Sequence, residues 1–365
     1  MNGCFKPEKF ARVIFLEKTC MSTKVTGFCF DVTGRTHFFS KPLSNALQFR
    51  IFSCSLTGNK SFGVRLIRLA CYVRNIISLV FVPSREDWII YNIPKFLMLE
   101  AIAIRYFTRG HCVLLLHNKN LHHDRIAAWA TSFFLSSFDK FVCHSPDVKK
   151  AVLELLPHAD VLLTPIPVAD FLSPGTNRNR TRIAKVGPVT VGFIGQFRCQ
   201  KGADLFYEAA LKFLDCYPGL MRFVMAGEPI DFFPGKVDFN ESEIVVINKF
   251  LEDQELNEVL QDLDVIIVPY RSSSGSAISA LAAFHELPMI ASNLEVFRYM
   301  ETHYPFITVA EMKTVDEVIE ALLLSARRAA EDATMINWSQ IRESMSMTKY
   351  AGQIAEHFRP RESGE

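Results

Sequence analysis

Charge of one sign is what this sequence lacks most plainly: 40 Lys and Arg stand against 39 Asp and Glu, a formal net charge of +1. That balance excludes a global field that would gather nucleic acid. No Cys-x-x-Cys pair occurs among the nine cysteines, and an odd, scattered set excludes a disulfide framework. Cys29, Cys112 and Cys143 interrupt apolar, strand-like runs, and the scattered set as a whole reads as reduced core cysteines of a cytoplasmic protein. No apolar run approaches the roughly 20 residues that a bilayer span needs; the longest lies near Ile76 to Val82. The opening Met1-Asn2-Gly3-Cys4-Phe5-Lys6 shows no basic region followed by an apolar stretch, so no secretory signal is expected, and the protein reads as soluble or peripheral. No Gly-x-Gly-x-x-Gly follows a strand, which weighs against a dinucleotide oxidoreductase.

What is present is globular. The chain has 365 residues, 49% hydrophobic and 22% charged, enough for two α/β domains with sizeable cores. In the second half, Val189 to Ile194, Met221 to Ala226, Ile244 to Ile247, Val265 to Val268 and Met289 to Ala291 read as buried strands. Helical patterns at Ala203 to Leu214, Asp253 to Gln261 and Ala277 to Phe284 alternate with them, which predicts a parallel, doubly wound sheet. The first half is less regular, with strands expected at Val13 to Leu16, Trp88 to Tyr91, Val113 to Leu116, Phe141 to Cys143 and Val161 to Leu163, and a helix from Lys95 to Arg109. Between Ser173 and Lys185 the chain turns polar and basic, the composition of a linker. The expected organisation is a first Rossmann-like domain at 1–175, a linker at 176–185, a second such domain at 186–338, and a C-terminal helical segment at 339–365.

Two segments carry candidate chemistry. Gly195-Gln196-Phe197-Arg198-Cys199-Gln200-Lys201-Gly202 lies between a strand end and a helix start, where ligands of open α/β sheets bind. Arg198 and Lys201 would put two cations there, beside a helix N-terminus that favours anions. A solvated basic turn is the plain alternative. The second segment is Pro269-Tyr270-Arg271-Ser272-Ser273-Ser274-Gly275-Ser276-Ala277, again between strand and helix. There the N–H groups of Gly275, Ser276 and Ala277 could face an anion, although Ser/Gly turns are common. Two anion-binding strand ends in one domain fit a diphosphate.

These motifs, together with Ala226-Gly227-Glu228-Pro229, Asp264 to Tyr270 and Leu287 to Ser292, resemble in order and spacing the donor domain of GT-B fold glycosyltransferases, particularly family 4 and its exopolysaccharide-type relatives, over about 150 residues. The resemblance implies two Rossmann-like domains facing across a cleft and transfer of a sugar (hexosyl type) from a nucleoside-diphosphate sugar to an acceptor hydroxyl. It implies retention of configuration, with no cofactor and no metal. The donor would touch Gly195, Gln196, Gly227, Glu228, Tyr270, Ser274, Gly275, Ser276 and Ala277, with Arg198 and Lys201 stabilising the departing diphosphate. In the first half, His117-Asn118 followed by His122-His123-Asp124 resembles the acceptor domain's strand-end His-Asn segment, so His117 would position the transferred sugar. A helix cap at Asn118 with surface histidines is the bland reading. Cys143-His144-Ser145-Pro146 and Thr164-Pro165 are similar to later strand ends, where Ser145 would line the cleft or cap a helix.

Departures are equally informative. Family 4 places a Glu-x7-Glu pair across the second loop; the corresponding residues are Ser273 and Leu281, and the second glutamate usually holds the ribose. Gln196 stands where the family often has arginine. A GT-B-fold protein that binds a glycan or partner without catalysis is therefore the alternative. Asp262-Leu263-Asp264 has the form of an Asp-x-Asp metal motif but joins a helix end to a strand, so it reads as structural.

Finally, Val64 to Val80 has helical periodicity. Leu66, Leu69, Ala70, Val73, Ile76, Ile77 and Val80 are expected on one face, with Arg65, Arg68 and Asn75 opposite. Such a helix either packs on the first sheet or lies on the inner face of an anionic membrane, as a lipid-linked acceptor would require. Asn337-Trp338-Ser339 opens a helical pattern running through Tyr350 to Phe358, which the resemblance takes back across to the first domain.

Overall fold

The computed structural model describes residues 27–31, 43–47, 49–53, 62–81, 83, 88–92, 97–116, 128–167, 187–234, 243–272, 277–331 and 336–358. The first unit contains β1 (Gly27–Asp31), β2 (Arg50–Ser53), α1 (Phe62–Phe81), β3 (Trp88–Asn92) and α2 (Leu97–Ile102), which widens into a π-type turn at Ala103–Phe107. It continues with β4 (His111–Leu116), α3 (Ala128–Leu135), β5 (Lys140–Cys143), α4 (Pro146–Leu155) and β6 (Asp160–Leu163). Its sheet runs β2-β1-β3-β4-β5-β6, with every neighbouring pair parallel.

The second unit contains β7 (Val189–Ile194), α5 (Ala203–Cys216), β8 (Met221–Gly227), β9 (Ile244–Asn248), α6 (Asp253–Asp262) and β10 (Val265–Val268). α7 (Ile278–Phe284), β11 (Met289–Ser292), α8 (Glu295–Glu301), β12 (Ile307–Ala310) and α9 (Val315–Glu331) complete it. This sheet is also all parallel, in the order β12-β11-β10-β7-β8-β9. Parallel strands are covered on both faces, which is why Val265-Ile266-Ile267-Val268 is apolar without alternation and buried throughout. The mixed α/β fold with two parallel sheets agrees with the expected class.

The period of two along a strand sorts the first core into two layers. Ile89, Tyr91, Leu114, Leu116 and Phe141 pack with the layer that holds α1, α2 and α3. Trp88, Ile90, Val113, Leu115 and Val142 pack on the other side, against residues 347–358.

Those residues form α11 (Met347–His357), preceded by α10 (Trp338–Ser344). A single helical pattern was expected across both. The structure divides it, because two cap residues start two helices: Asn337 Oδ1 accepts from Gln340 N, and Ser346 Oγ accepts from Lys349 N. Ile341 and Met345 lie in the second core, and Trp338 rests 5.6 Å from Phe306 between ring centres. Tyr350, Ile354 and Phe358 lie in the first core. Thr164 Oγ1 donates to Gln353 Oε1 at 2.8 Å, and His357 Nε2 lies 2.8 Å from Asp160 Oδ1.

The rotation of α1 corrects the helical wheel. Asn75, expected on the polar face, is fully buried, whereas Val73 and Ile77 are 47% and 53% exposed. The inward line is Tyr72, Asn75 and Leu79. A polar pair fixes it: the buried Tyr72 hydroxyl donates to the buried Glu100 of α2 at 3.1 Å. Arg65 and Arg68 belong to the helix, but their side chains lie outside the described residues. So does the expected strand at Val13 to Leu16, and the linker. Cys29 and Cys143 are buried and Cys112 half-buried, but Cys199 and Cys216 are exposed, so the core reading fails for those two.

Candidate functional site

In the second sheet the strand order reverses between β7 and β10, and open α/β sheets bind ligands in the crevice at such a point, outside the carboxyl ends. Both candidate loops leave these two strands. Gly195 N donates to Ala226 O at 3.0 Å, and Phe197 N to Glu228 O at 2.8 Å. The Phe197 carbonyl faces the successive N–H groups of Ile230, Asp231 and Phe232, while its ring is fully buried. Cys199 N donates to Asp231 Oδ1 at 2.8 Å. The loop after β7 is thus fastened to the loop after β8.

Two glycines let backbones meet here. A Cβ on Gly227 would lie 1.8 Å from Gly195 O, and one on Gly202 would lie 1.9 Å from Pro269 O. The second contact draws the loop after β10 against the loop after β7. Further bonds join the same loops: Arg271 N donates to Gln200 O at 2.9 Å, and Gln200 Nε2 to Ser272 Oγ at 2.8 Å. The Arg271 guanidinium grips Asp204 at 2.6 and 2.7 Å and also donates to Cys199 O. Burial alone would raise the Asp204 carboxyl, but the hydrogen bonds and charge of Arg271 outweigh it and hold it below its ordinary value.

The two cations occupy distinct settings. Lys201 Nζ sits 5.5 Å from the centre of the Tyr270 ring, a cation–π arrangement, and 3.5 Å from where a Cβ on Gly195 would be. It therefore lies over the crevice between the β7 and β10 ends. Arg198 is half-buried, and its Nε is buried with no hydrogen-bond partner among the described residues. A buried guanidinium N–H left unmet is costly, and an anionic oxygen would satisfy it.

Of the other sequence-predicted residues, Gln196 is half-buried, Gly227 buried, Glu228 exposed, and Tyr270 buried against Phe297. Ala277 is exposed and opens α7. Ser274, Gly275 and Ser276 lie outside the described residues, as do His117, Asn118, His122, His123 and Asp124. Leu281, at the position of the family's second glutamate, packs half-buried on the core. Asp264 ties α6–β10 to the start of β7: its Oδ2 accepts from Thr190 N at 2.9 Å, and its own N donates to Thr190 O at 2.8 Å. That is the amino end of the sheet, away from the crevice. Sequence reading missed Asp204 and Asp231 and gave Gln200 and Ser272, though inside the two candidate loops, no role; the signal at hand was Arg271 directly after a strand-end Pro-Tyr.

In the first unit, Ser145 stands at the N-cap of α4 but makes no cap bond, and its buried hydroxyl has no partner among the described residues. His144 stacks on Tyr350 with ring centres 5.8 Å apart and places Nδ1 3.0 Å from Thr164 O. Burial lowers its pKa to about 4 despite that carbonyl, so it is neutral near pH 7. α4 touches α8 of the second unit. A hollow of about 430 Å³ beside α4, lined by Pro146, Lys149, Leu153 and Leu163 among others, includes none of the crevice residues.

Residues 188–325 match a family described as Glycosyl transferases group 1. No curated protein matches the chain. Among solved structures, it is similar to a UDP-forming α,α-trehalose-phosphate synthase from Burkholderia xenovorans, at 12% identity and TM-score 0.64, covering 94% of this chain and 100% of that one. It is also similar to Alr3699/HepE of Anabaena in complex with UDP and glucose, at 13% identity and TM-score 0.60, covering 91% and 99%. Against TarM the identity is 12% and the TM-score 0.56; the match covers 80% of this chain and spans 58% of TarM. At these identities the likeness carries the fold, which is that of GT-B proteins.

Proposed function

We propose that this chain, whose residues 188–325 form a group 1 glycosyl transferase domain, moves a sugar from a nucleoside-diphosphate sugar to an acceptor hydroxyl. The observation that carries the proposal is the clasped pair of loops at the β7–β10 switch point, with Lys201 above it and a buried Arg198 Nε that has no hydrogen-bond partner among the described residues. As the bond from the anomeric carbon to the diphosphate breaks, negative charge grows on the leaving oxygens. Lys201 and Arg198 are placed to neutralise it, and fixed donors of this kind are often the largest catalytic contribution. Transfer is retaining, with no cofactor and no metal. His117 positions the transferred sugar, and the loop holding Ser274, Gly275 and Ser276 receives phosphate oxygens, both by family resemblance. The acceptor is a growing or lipid-linked glycan, as in polysaccharide biosynthesis, met by a cytoplasmic protein in peripheral contact with the inner membrane face. The second reading, a non-catalytic glycan- or partner-binding protein, is favoured by one observation: an apolar Leu281 where the family holds ribose.

Nucleotide binding tests the proposal. UDP is the first candidate, since one similar structure holds UDP and glucose. At a hundred times its dissociation constant a nucleotide stabilises by about 2.7 kcal/mol, which should raise the melting temperature by about 5–10 °C. The shift, and donor turnover, should persist in EDTA. No shift from UDP, GDP or other nucleotides sinks the donor reading, and a shift without turnover favours the binding protein. Activity lost to EDTA and restored by a divalent ion removes the metal-independent mechanism.

The Arg271 grip yields a further expectation. Its pair with Asp204 is partly exposed, so Arg271→Ala should cost only about 1 kcal/mol of stability. Because it holds the two loops together, donor KM should rise about tenfold, a loss of about 1.4 kcal/mol of binding. An unchanged KM would show that the grip does not reach the donor.

A further inference from the structure

The first unit carries an exposed apolar surface that neither its core nor the crevice uses. α1, α2 with its π-type turn, and α3 lie side by side as one helical layer. Thr108 Oγ1 donates to Leu79 O at 3.4 Å, and Arg105 Nη1 to Ser136 Oγ at 3.2 Å, tying the members together. The inward faces, with Tyr72, Leu79, Ile104 and Phe134, are buried on the sheet. The outward faces present Val73, Ile77 and Phe81 from α1, Ile102 and Tyr106 from α2 and its turn, and Trp129 from α3. Phe81 is 80% exposed, Trp129 66% and Tyr106 64%. Clustered exposure of this kind marks an interaction surface rather than ordinary scatter.

Charge decides the partner. On α1, α2 with its turn, and α3, the exposed charged side chains among the described residues are Arg74 and Arg105, and Arg109 follows at once. The one acid in these elements, Glu100, is buried and accepts the Tyr72 hydroxyl. In a chain of net charge +1, helices with exposed cations and no exposed acid among their described residues are a marked asymmetry, exposed Asp139 lying beyond the end of α3.

We infer that this face seats the protein on an anionic lipid surface. Phe81, Tyr106 and Trp129 enter the boundary between headgroups and acyl chains, where Trp and Tyr concentrate. Arg74, Arg105 and Arg109 meet the lipid anions. The contact is interfacial, since no helix among the described residues is long and apolar enough to cross a membrane. A second copy docking face to face would set arginines against arginines. The inference gives the peripheral contact proposed above its surface, and it holds whether or not the protein transfers sugar.

Vesicle flotation tests it without any sugar nucleotide. Vesicles of phosphatidylcholine with phosphatidylglycerol should carry at least ten times more wild-type protein than phosphatidylcholine alone. Phe81→Ser with Trp129→Ser should lower that recovery at least tenfold, as should Arg74→Glu with Arg109→Glu, and raised salt should weaken the charged contribution. The nucleotide-induced melting shift, compared in every variant, reports folding and the donor site separately from the surface. Equal recovery with both vesicle types, or variants that float like the wild type, overturns the inference. Dimers in ultracentrifugation that the same substitutions dissolve, without vesicle binding, assign the face to a second copy instead.

Discussion

Lys201→Ala and Arg198→Ala are each expected to slow sugar transfer by about two orders of magnitude, a loss of about 3 kcal/mol of transition-state stabilisation. The fold should survive both. Lys201 touches the Tyr270 ring from above, a contact whose loss costs little beside the core beneath it. Arg198 brings a buried Nε with no partner among the described residues, so its removal also removes an unmet donor. Stability and turnover should therefore separate: melting temperatures close to wild type, with kcat reduced. Arg198→Lys keeps the charge but loses the planar, multiply donating head, and should restore only part of the rate. Near-wild-type turnover in both alanine variants would take this loop out of the mechanism.

Gly202→Ala should be far more damaging to the fold than Gly219→Ala, although the two glycines have nearly the same backbone. Their φ angles are +65° and +75°, so either alanine is conformationally strained by about 1–2 kcal/mol. A Cβ at 219 meets nothing within 4 Å, whereas at 202 it would lie 1.9 Å from the Pro269 carbonyl oxygen. That neighbour is backbone and cannot swing aside, so the loops after β7 and β10 must part. Overpacking of this kind adds about 1–3 kcal/mol. Gly202→Ala should thus lose about 2–5 kcal/mol and lower the melting temperature by roughly 10 °C, with nucleotide binding impaired in what remains folded. Gly219→Ala should shift it by a few degrees and bind normally. Equal melting temperatures for the two variants would show that the loops do not touch there.

The strands that the sequence made legible are those buried on both faces. β3, β4, β7 and β10 read clearly because a central parallel strand is a near-continuous apolar run, broken in β7 only by Thr190 and Gly192. β1 was seen only as the strand-like run around Cys29 and not counted as a strand: Gly27 and Asp31 flank only Phe28-Cys29-Phe30, and its pairing with β2 and β3 is what makes it one. β12 is an edge strand whose Thr308 to Ala310 are only half-buried, so its pattern is weak. α1 was recognised as a helix, but its rotation was not, because hydropathy alone cannot anticipate a buried Tyr72–Glu100 pair that draws Asn75 inward and leaves Ile77 outside. In the second unit, glycines and cations between strand and helix marked the two loops. Their mutual fastening was invisible, since Asp204 and Arg271 are 67 positions apart and meet only after the sheet has ordered its strands.

The return of α11 to the first sheet has a consequence for how the molecule is made. Translation finishes β6 early, yet the face of that sheet lined by Trp88, Ile90, Val113 and Leu115 is closed by Tyr350, Ile354 and Phe358. These emerge after every strand of the second unit, whose own core is complete once Met345 is added. The second unit can therefore close its core without α11, whereas the first, though Leu43 and Phe49 already pack on that face, stays partly uncovered until α11 arrives. Contacts spanning 189 residues, such as Thr164 with Gln353, are slow to form and leave that face open to off-pathway association in the meantime. A chain truncated before residue 347 and released should accordingly hold a protease-resistant second unit beside a protease-sensitive first one.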